Sequence, residues 1–158
     1  MTLPALFRER ARASAARVAL REKRDGIWRE HTWAQYAERV RAFGLGLVAL
    51  GVERGDRVAI HSEDRPEWLF ADIGTMSVGA ISVGIYPTNP PAEVEYLLSH
   101  SGARVVVAED QEQVDKALAV ADRCPALERI VYVDPKGLRG YRDSRLVPYV
   151  EVERLGRA

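Results

Sequence analysis

The 158 residues are 47% hydrophobic and 29% charged, which is enough apolar content to bury one core of ordinary domain size. The formal net charge is zero, so no general positive field favours nucleic acid or an anionic membrane as a partner. Cys124 is the only cysteine, which excludes an internal disulfide and fits a cytoplasmic location. No apolar run approaches the roughly 18 residues of a membrane span, so no transmembrane segment is expected.

The first 32 residues predict a helix followed by a β-hairpin. The helix is amphipathic, with arginines on its polar side. Its apolar side carries Leu3, Leu6 and Phe7. Two short β-type runs in residues 18–32 then flank Asp25 and Gly26, a pair that suits a tight turn.

The next segment has the pattern of a long amphipathic helix. Thr32 and Gln35 have the spacing of a capping box, which marks a helix start, and Gly51 marks the end. Apolar residues recur between them at intervals of three or four. These residues are Tyr36, Val40, Phe43, Leu47 and Leu50.

Short apolar runs then alternate with helical segments. The runs are rich in β-branched residues and typical of strands covered on both faces; they span residues 57–61, 80–86, 103–109 and 129–134. The helical segments span residues 65–78, 90–100 and 111–123, with Asp64, Asn89 and Asp110 as predicted caps. Such successive β-α-β units predict an α/β fold: three layers, with helices on both faces of a mainly parallel sheet.

The last part of the chain has a different character. Residues 135–158 are charged and weakly patterned, with no clear strand or long helix. The sequence therefore predicts a helix and hairpin in residues 1–32, a β-α-β core in residues 33–134 and a connector in residues 135–158.

Four loops follow the predicted strands at their carboxyl ends, where open parallel sheets bind ligands. They read HSED, YPTN, EDQE and DPKG. The HSED side chains could be drawn as a metal site or a hydrolytic triad, but Asp64 with Glu67 explains them as a helix start. The three histidines and Cys124 show no metal-ligand spacing, so no metal site is predicted.

The YPTN loop carries the stronger indication of binding. Gly84 lies inside a predicted strand, where glycine often marks a close approach of ligand or backbone, and Tyr86 and Thr88 supply polar groups. In the alternative interpretation, Asn89 caps the next helix and Tyr86 covers the sheet end.

The DPKG loop invites comparison with a phosphate loop because Lys136 stands beside Gly137. A phosphate loop needs several glycines and hydroxyl residues before its lysine, so that successive backbone N–H groups surround the anion. Those residues are absent here, and the sequence favours a turn.

Four motifs in this order, GDRVAI, RPEW, GIYPT and HSGARVVVAED, resemble the start of AMP-forming long-chain acyl-CoA synthetases. The resemblance runs from about Leu3 to about Asp134. It implies the amino-terminal part of a fatty acid CoA ligase that uses ATP, coenzyme A and magnesium. The family's Ser/Thr/Gly-rich phosphate loop, Tyr-Gly-x-Thr-Glu segment, ribose-binding Asp and mobile-domain lysine are not present, so the chain alone is expected to be inactive, with no catalytic residues.

One group of residues is assigned a binding role by the resemblance. In related synthetases the loop after the second core strand lies near the adenine of coenzyme A, and here that loop is Tyr86, Pro87 and Thr88. An aromatic ring at Tyr86 could stack on the base. Relatives with small residues there leave more room for the base than Pro87 and Thr88 do.

Two other classes of protein remain open. A self-contained ligand-binding module, such as a flavin or receiver domain, would have the same alternation, although the acidic HSED loop does not suit a flavin phosphate. A non-catalytic interaction module is the other, since synthetases that resemble this chain can form homodimers through their amino-terminal region. The first helix and the hairpin are the candidates for that surface here.

Overall fold

The computed structural model describes residues 1–158 and confirms the three-layer α/β fold with its preceding helix and hairpin. The helices are α1 (Leu3–Ala13), α2 (Trp33–Ala49), α3 (Pro66–Ser77), α4 (Pro91–Ser101), α5 (Gln111–Val120) and α6 (Tyr149–Arg157). The strands are β1 (Val18–Arg24), β2 (Ile27–Thr32), β3 (Arg57–His61), β4 (Ile81–Ile85), β5 (Val105–Ala108), β6 (Arg129–Tyr132) and β7 (Leu146–Pro148). None of these helices is both long enough and apolar enough to cross a membrane.

The hairpin and α1 form as the local sequence predicts. Asp25 and Gly26 both have positive φ, 53° and 77°, as a two-residue hairpin turn with the matching twist requires. The Thr32 hydroxyl and the Gln35 side chain form the predicted capping box at the start of α2. An aromatic cluster of Phe7, Trp33 and Tyr36 then packs α1 against α2.

The main sheet has the order β4-β3-β5-β6-β7, and all its strands are parallel. Residues that alternate along each strand enter two separate cores. Ala59, for example, packs beneath α4 and α5, whereas Val58 and Ile60 pack beneath α2, α3 and α6. The sheet is therefore the middle layer.

Glycines let α2 approach two helices closely, one on each side. A Cβ added at Gly44 would lie 2.8 Å from the carbonyl oxygen of Gly74 in α3. On the other side, a Cβ at Gly156 in α6 would overlap the carbonyl oxygen of Ala42 and lie 2.6 Å from the nitrogen of Gly46. The spacing of α2 from α3 and from α6 depends on these missing side chains.

Two predicted helix caps are wrong. Asp110 caps α5 by accepting from the Gln113 N–H, but the residues at the caps of α3 and α4 are Arg65 and Pro90, neither with a side-chain cap bond. Proline favours the first position of a helix because its nitrogen has no proton to satisfy. Each helix thus begins at a proline, one residue beyond the predicted start, and Asp64 and Asn89 lie outside the caps.

The expectation that residues 135–158 contain no strand or long helix is also wrong. Strand β7 pairs in parallel with β6, and α6 packs against α2. The Tyr149 ring is 2% exposed and stacks on Phe43 with 4.7 Å between ring centroids, and Val152 is fully buried. The segment therefore completes the core beneath α2.

Candidate functional site

The strand order creates a crevice at the carboxyl edge of the sheet. Strand β4 lies on one side of β3, and the next strand in the chain, β5, lies on the other side. The order of strands therefore reverses direction between β3 and β5, and doubly wound folds bind their ligands at such a point. Here the loops at that point are HSED, after β3, and EDQE, after β5. The four predicted loops do meet at one edge.

A carboxylate of the chain itself occupies this crevice. Glu109 Oε2 accepts a hydrogen bond from the Glu63 N–H at 2.7 Å and lies 3.3 Å from the Ser62 hydroxyl. Its other oxygen, Oε1, accepts from Arg65 Nη1 at 3.2 Å. The hydrogen-bond donors of the HSED loop thus point at the Glu109 carboxylate, which occupies the position where a bound anion could otherwise lie.

Arg65 connects this crevice to α3 and the hairpin. Its Nε donates to Glu67 Oε2 at 2.9 Å, and Arg24 Nη2 donates to Glu67 Oε1 at 3.0 Å. Burial raises the pKa of Glu67, but the charge of Arg65, the backbone N–H of Glu67 and the hydrogen bonds from Arg65 and Arg24 together outweigh burial, so the pKa lies below its ordinary value. Glu67 is therefore an ionised bridge between two arginines rather than a proton donor.

An open cleft of about 620 Å³ lies between the hairpin and the HSED loop. Strand β1 forms one wall and the start of α3 forms the other. Two indoles, those of Trp28 and Trp68, line it together with Arg24 and Arg65. Its volume is in the range of small-molecule sites, and its lining is more charged than most such sites.

His61, at the end of β3, is fully buried and neither ring nitrogen has a hydrogen-bond partner. Burial, and next the positive charge of Lys116, lower the pKa of His61 to about 4. The ring is thus neutral at pH 7, enclosed by the sheet rather than open to the cleft.

The predicted binding loop lies after β4, at the edge of the sheet. Tyr86 is 79% exposed, and its carbonyl accepts from the Asn89 N–H in a turn. Lys116 of α5 donates to the Pro87 carbonyl at 2.7 Å and fixes the middle of the loop. Tyr86, Pro87 and Thr88 do not line the cleft, so the structure does not join the two features.

Gly84 of β4 leaves space beside Trp68 of α3. A Cβ at Gly84 would meet only Trp68, at 3.8 Å, so glycine is not required there by backbone packing. The open surface beside the strand is consistent with the expected close approach of a ligand.

The DPKG segment is the predicted turn. Asp134 Oδ1 accepts from the Lys136 N–H at 2.9 Å, and Gly137 adopts a left-handed conformation with φ of 83°. A side chain at Gly137 would overlap the Gln111 side chain. The lysine therefore follows an acid-capped turn and does not belong to a phosphate loop.

The residues of this chain do not fit the phosphates of ATP or a magnesium ion. No three His, Cys, Asp or Glu side chains lie close enough together to hold a metal ion, and the exposed carboxyl-edge loops contain no run of glycines and hydroxyl residues. No step of adenylation can be derived from these side chains.

Sequence reasoning missed the residues that organise the edge, namely Glu109, Arg65 and Lys116. Glu109 stood in a loop that was recognised, but its partners are 44 to 47 positions away. The sequence did contain a signal for this contact. Glu109 is an acidic residue directly after a buried strand, and the HSED loop after the neighbouring strand is followed by Arg65. Register between β3 and β5 brings the two together.

The open parallel sheet with its loops at the carboxyl edge defines the class of protein, a doubly wound α/β domain. Within that class the chain belongs to the AMP-binding enzyme family, whose model matches residues 7–149. The resemblance to acyl-CoA synthetases is thereby confirmed.

The chain is also similar in sequence to named acyl-CoA ligases. The long-chain-fatty-acid–CoA ligase FadD15 of Mycobacterium bovis is 37% identical over 113 residues, which cover 72% of this chain and 19% of that protein. The long-chain-fatty-acid–CoA ligase ACSBG2 of Xenopus laevis is 34% identical over 131 residues, which cover 83% and 18%. The chain therefore spans about one fifth of the length of these relatives.

A solved structure shows the same fold. The anthranilate CoA ligase AuaEII, in complex with anthranoyl-AMP, matches with a TM-score of 0.82 and 28% sequence identity. The match covers 96% of this chain and 27% of that one.

Proposed function

We propose that this chain is the amino-terminal part of an ATP-dependent, AMP-forming fatty acid CoA ligase. The whole enzyme would convert a fatty acid, ATP and coenzyme A into acyl-CoA, AMP and pyrophosphate. The observation that carries the proposal is the family match over residues 7–149, together with 37% identity to a protein named as a long-chain-fatty-acid–CoA ligase. A fatty acid substrate is favoured over an aryl acid because the named sequence relatives are long-chain ligases.

Within that enzyme the chain supplies a scaffold rather than the reacting groups. Glu109 closes the crevice where other doubly wound folds bind a ligand, and no metal cluster or phosphate loop is formed. We therefore expect the 158 residues to have no adenylation activity by themselves. A cytoplasmic location, and dimerisation through α1 and the hairpin, stay predictions of the sequence.

The proposal predicts fatty-acid-dependent exchange of pyrophosphate into ATP by the full-length protein and none by residues 1–158. The measurement compares a series of fatty acids with anthranilate as the aryl control. Exchange by the short chain would contradict the scaffold role. Exchange by the full-length protein with anthranilate and not with fatty acids would contradict the substrate class.

The coenzyme A loop gives a second prediction. Replacing Tyr86 by alanine in the full-length enzyme should raise the KM for coenzyme A by about two- to tenfold, the loss expected for one aromatic stack. Pyrophosphate exchange should not change, because that half-reaction needs no coenzyme A. The ring is 79% exposed, so its removal should not disturb the core.

Tyr96 is the matched control for this substitution. It is 62% exposed on α4, ten positions after Tyr86, and stacks on His100. Tyr96→Ala should leave the KM for coenzyme A at the wild-type value. Equal effects of the two substitutions, or none from Tyr86→Ala, would remove this loop from the coenzyme A site.

A further inference from the structure

The hairpin of β1 and β2 is attached to the body of the molecule at two separate places. At its base, Ala19 and Leu20 pack against the cluster of Tyr36 and Phe70, and the Trp33 N–H donates to the Arg17 carbonyl. The outer half of the hairpin is different, since Ile27 and Trp28 beyond the turn are 63% and 65% exposed. Two-stranded hairpins are marginal without further support.

A single ion pair holds the outer end. Arg24 is the last residue of β1 before the turn, and its Nη2 lies 3.0 Å from Glu67 Oε1 at the start of α3. The cleft described above lies between the two attachments, with β1 on one side and residues 63–69 on the other. The hairpin thus spans the cleft from its apolar base to this ion pair.

The ion pair is one link in a continuous series of alternating charges. On the hairpin, Glu22 lies 3.3 Å from Arg24 and 3.2 Å from His31. On the body, Glu67 is bound by Arg65, whose other contact is Glu109 in the crevice of the sheet. The position of the hairpin end is thereby coupled to the HSED loop.

The two partners of the central ion pair differ in exposure. The Glu67 side chain is 10% exposed and held by Arg65, whereas the Arg24 side chain is 37% exposed. Removal of Arg24 leaves Glu67 with Arg65 as a partner, so the body of the molecule keeps its paired charge. The contact can therefore break on the hairpin side alone.

From this geometry we infer that the hairpin is a lid over the cleft, latched by Arg24 on Glu67. Opening swings the outer hairpin away about its apolar base and widens the cleft lined by Trp28 and Trp68, while the core is unchanged. The latch is ionic and partly exposed, so salt weakens it. This device does not depend on the ligase assignment.

Hydrogen–deuterium exchange of the chain tests the latch. In Arg24→Gln, amides of residues 22–30 should exchange about two- to fivefold faster than in the wild type, the range expected for loss of one such pair. Amides of α2 and β5 should keep their wild-type rates. Raising NaCl from about 0.05 M to about 0.5 M should speed exchange of residues 22–30 in the wild type and not in the variant.

Arg21→Gln is the matched control, because Arg21 pairs with Glu30 across the hairpin and makes no hydrogen bond or ion pair with the body. It should leave exchange of residues 22–30 near the wild-type rate. Equal acceleration in both variants would show that hairpin pairing, and not the latch, sets the rate. Unchanged exchange in Arg24→Gln, or acceleration that extends equally into α2, would overturn the inference.

Discussion

Replacing Gly156 by alanine lowers the free energy of unfolding by about 2–4 kcal/mol, the cost of forcing an atom into a packed contact. The new Cβ would overlap the Ala42 carbonyl oxygen and lie 2.6 Å from the Gly46 nitrogen. Both are backbone atoms of α2, so no side chain can turn aside and α6 has to move. In an exposed helix the same change would stabilise by about 0.5–1 kcal/mol. The sign of the effect is therefore diagnostic.

Urea unfolding of the wild type and two variants measures this effect. Gly140→Ala is the control, because a Cβ there has no heavy atom within 4 Å, and it should leave stability within about 0.5 kcal/mol of the wild type. Gly46→Ala, whose Cβ would overlap the Val152 carbonyl oxygen, should cost as much as Gly156→Ala. The double variant should cost less than the sum, because both changes open one crossing. A Gly156→Ala protein as stable as the wild type would refute the close packing of α2 and α6.

Replacing His61 by leucine should abolish much of the loss of stability that the wild type undergoes as the pH falls from about 6.5 to about 4. The unfolded histidine takes up a proton near its ordinary pKa of 6.5, whereas the buried folded ring has its pKa lowered to about 4. Across that interval the unfolded state binds the extra proton, so stability falls as the pH falls. The difference of about 2.5 pKa units corresponds to roughly 3 kcal/mol.

The measurement is the free energy of unfolding at several pH values for the wild type, His61→Leu and His100→Gln. At pH 7 the leucine variant should be at least as stable as the wild type, since it removes two ring nitrogens without partners. The exposed His100 serves as the control and should leave the pH profile unchanged. A His61→Leu protein with the wild-type slope between pH 6.5 and 4 would contradict the buried, neutral ring.

Local patterns predicted most of the fold. The Asp25-Gly26 turn and the Thr32-Gln35 capping box each depend on residues within four positions of one another, and both are present. Two helices begin one residue later than predicted, at Pro66 and Pro91. The fixed φ of proline suits the first position of a helix, and this preference outweighed a side-chain hydrogen bond from the predicted cap. Such errors concern one residue.

The last segment could not be predicted because its determinants are distant. Strand β7 is three residues long and ends in Pro148, and α6 buries Glu153, an acid that sequence patterns place on the outside. Arg39 of α2, 114 positions earlier, pairs with that carboxylate. Folding brings both Arg39 and Gly46 of α2 to α6. Arg39 pairs with the buried carboxylate of Glu153, and Gly46 leaves room for the backbone of α6.

The candidate site was likewise predictable in part from the sequence. Its four loops were predicted from the strand pattern, since parallel strands place their carboxyl ends at one edge. The occupation of the crevice by Glu109 was not, because the direction of a side chain after a strand depends on the register between β3 and β5. The latch of Arg24 on Glu67 joins residues 43 positions apart and has no local signal.

The two close crossings of α2 also restrict how the core can adapt to change. Gly44 and Gly46 are two residues apart, and so lie about 200° apart around the helix axis, one against Gly74 of α3 and the other against α6. A bulkier residue on either side would push α2 towards backbone that is already in contact on the other. Helix α2 therefore cannot shift sideways to make room for a larger side chain at either crossing. Mutations that compensate for such a side chain have to arise in α3 or α6 instead.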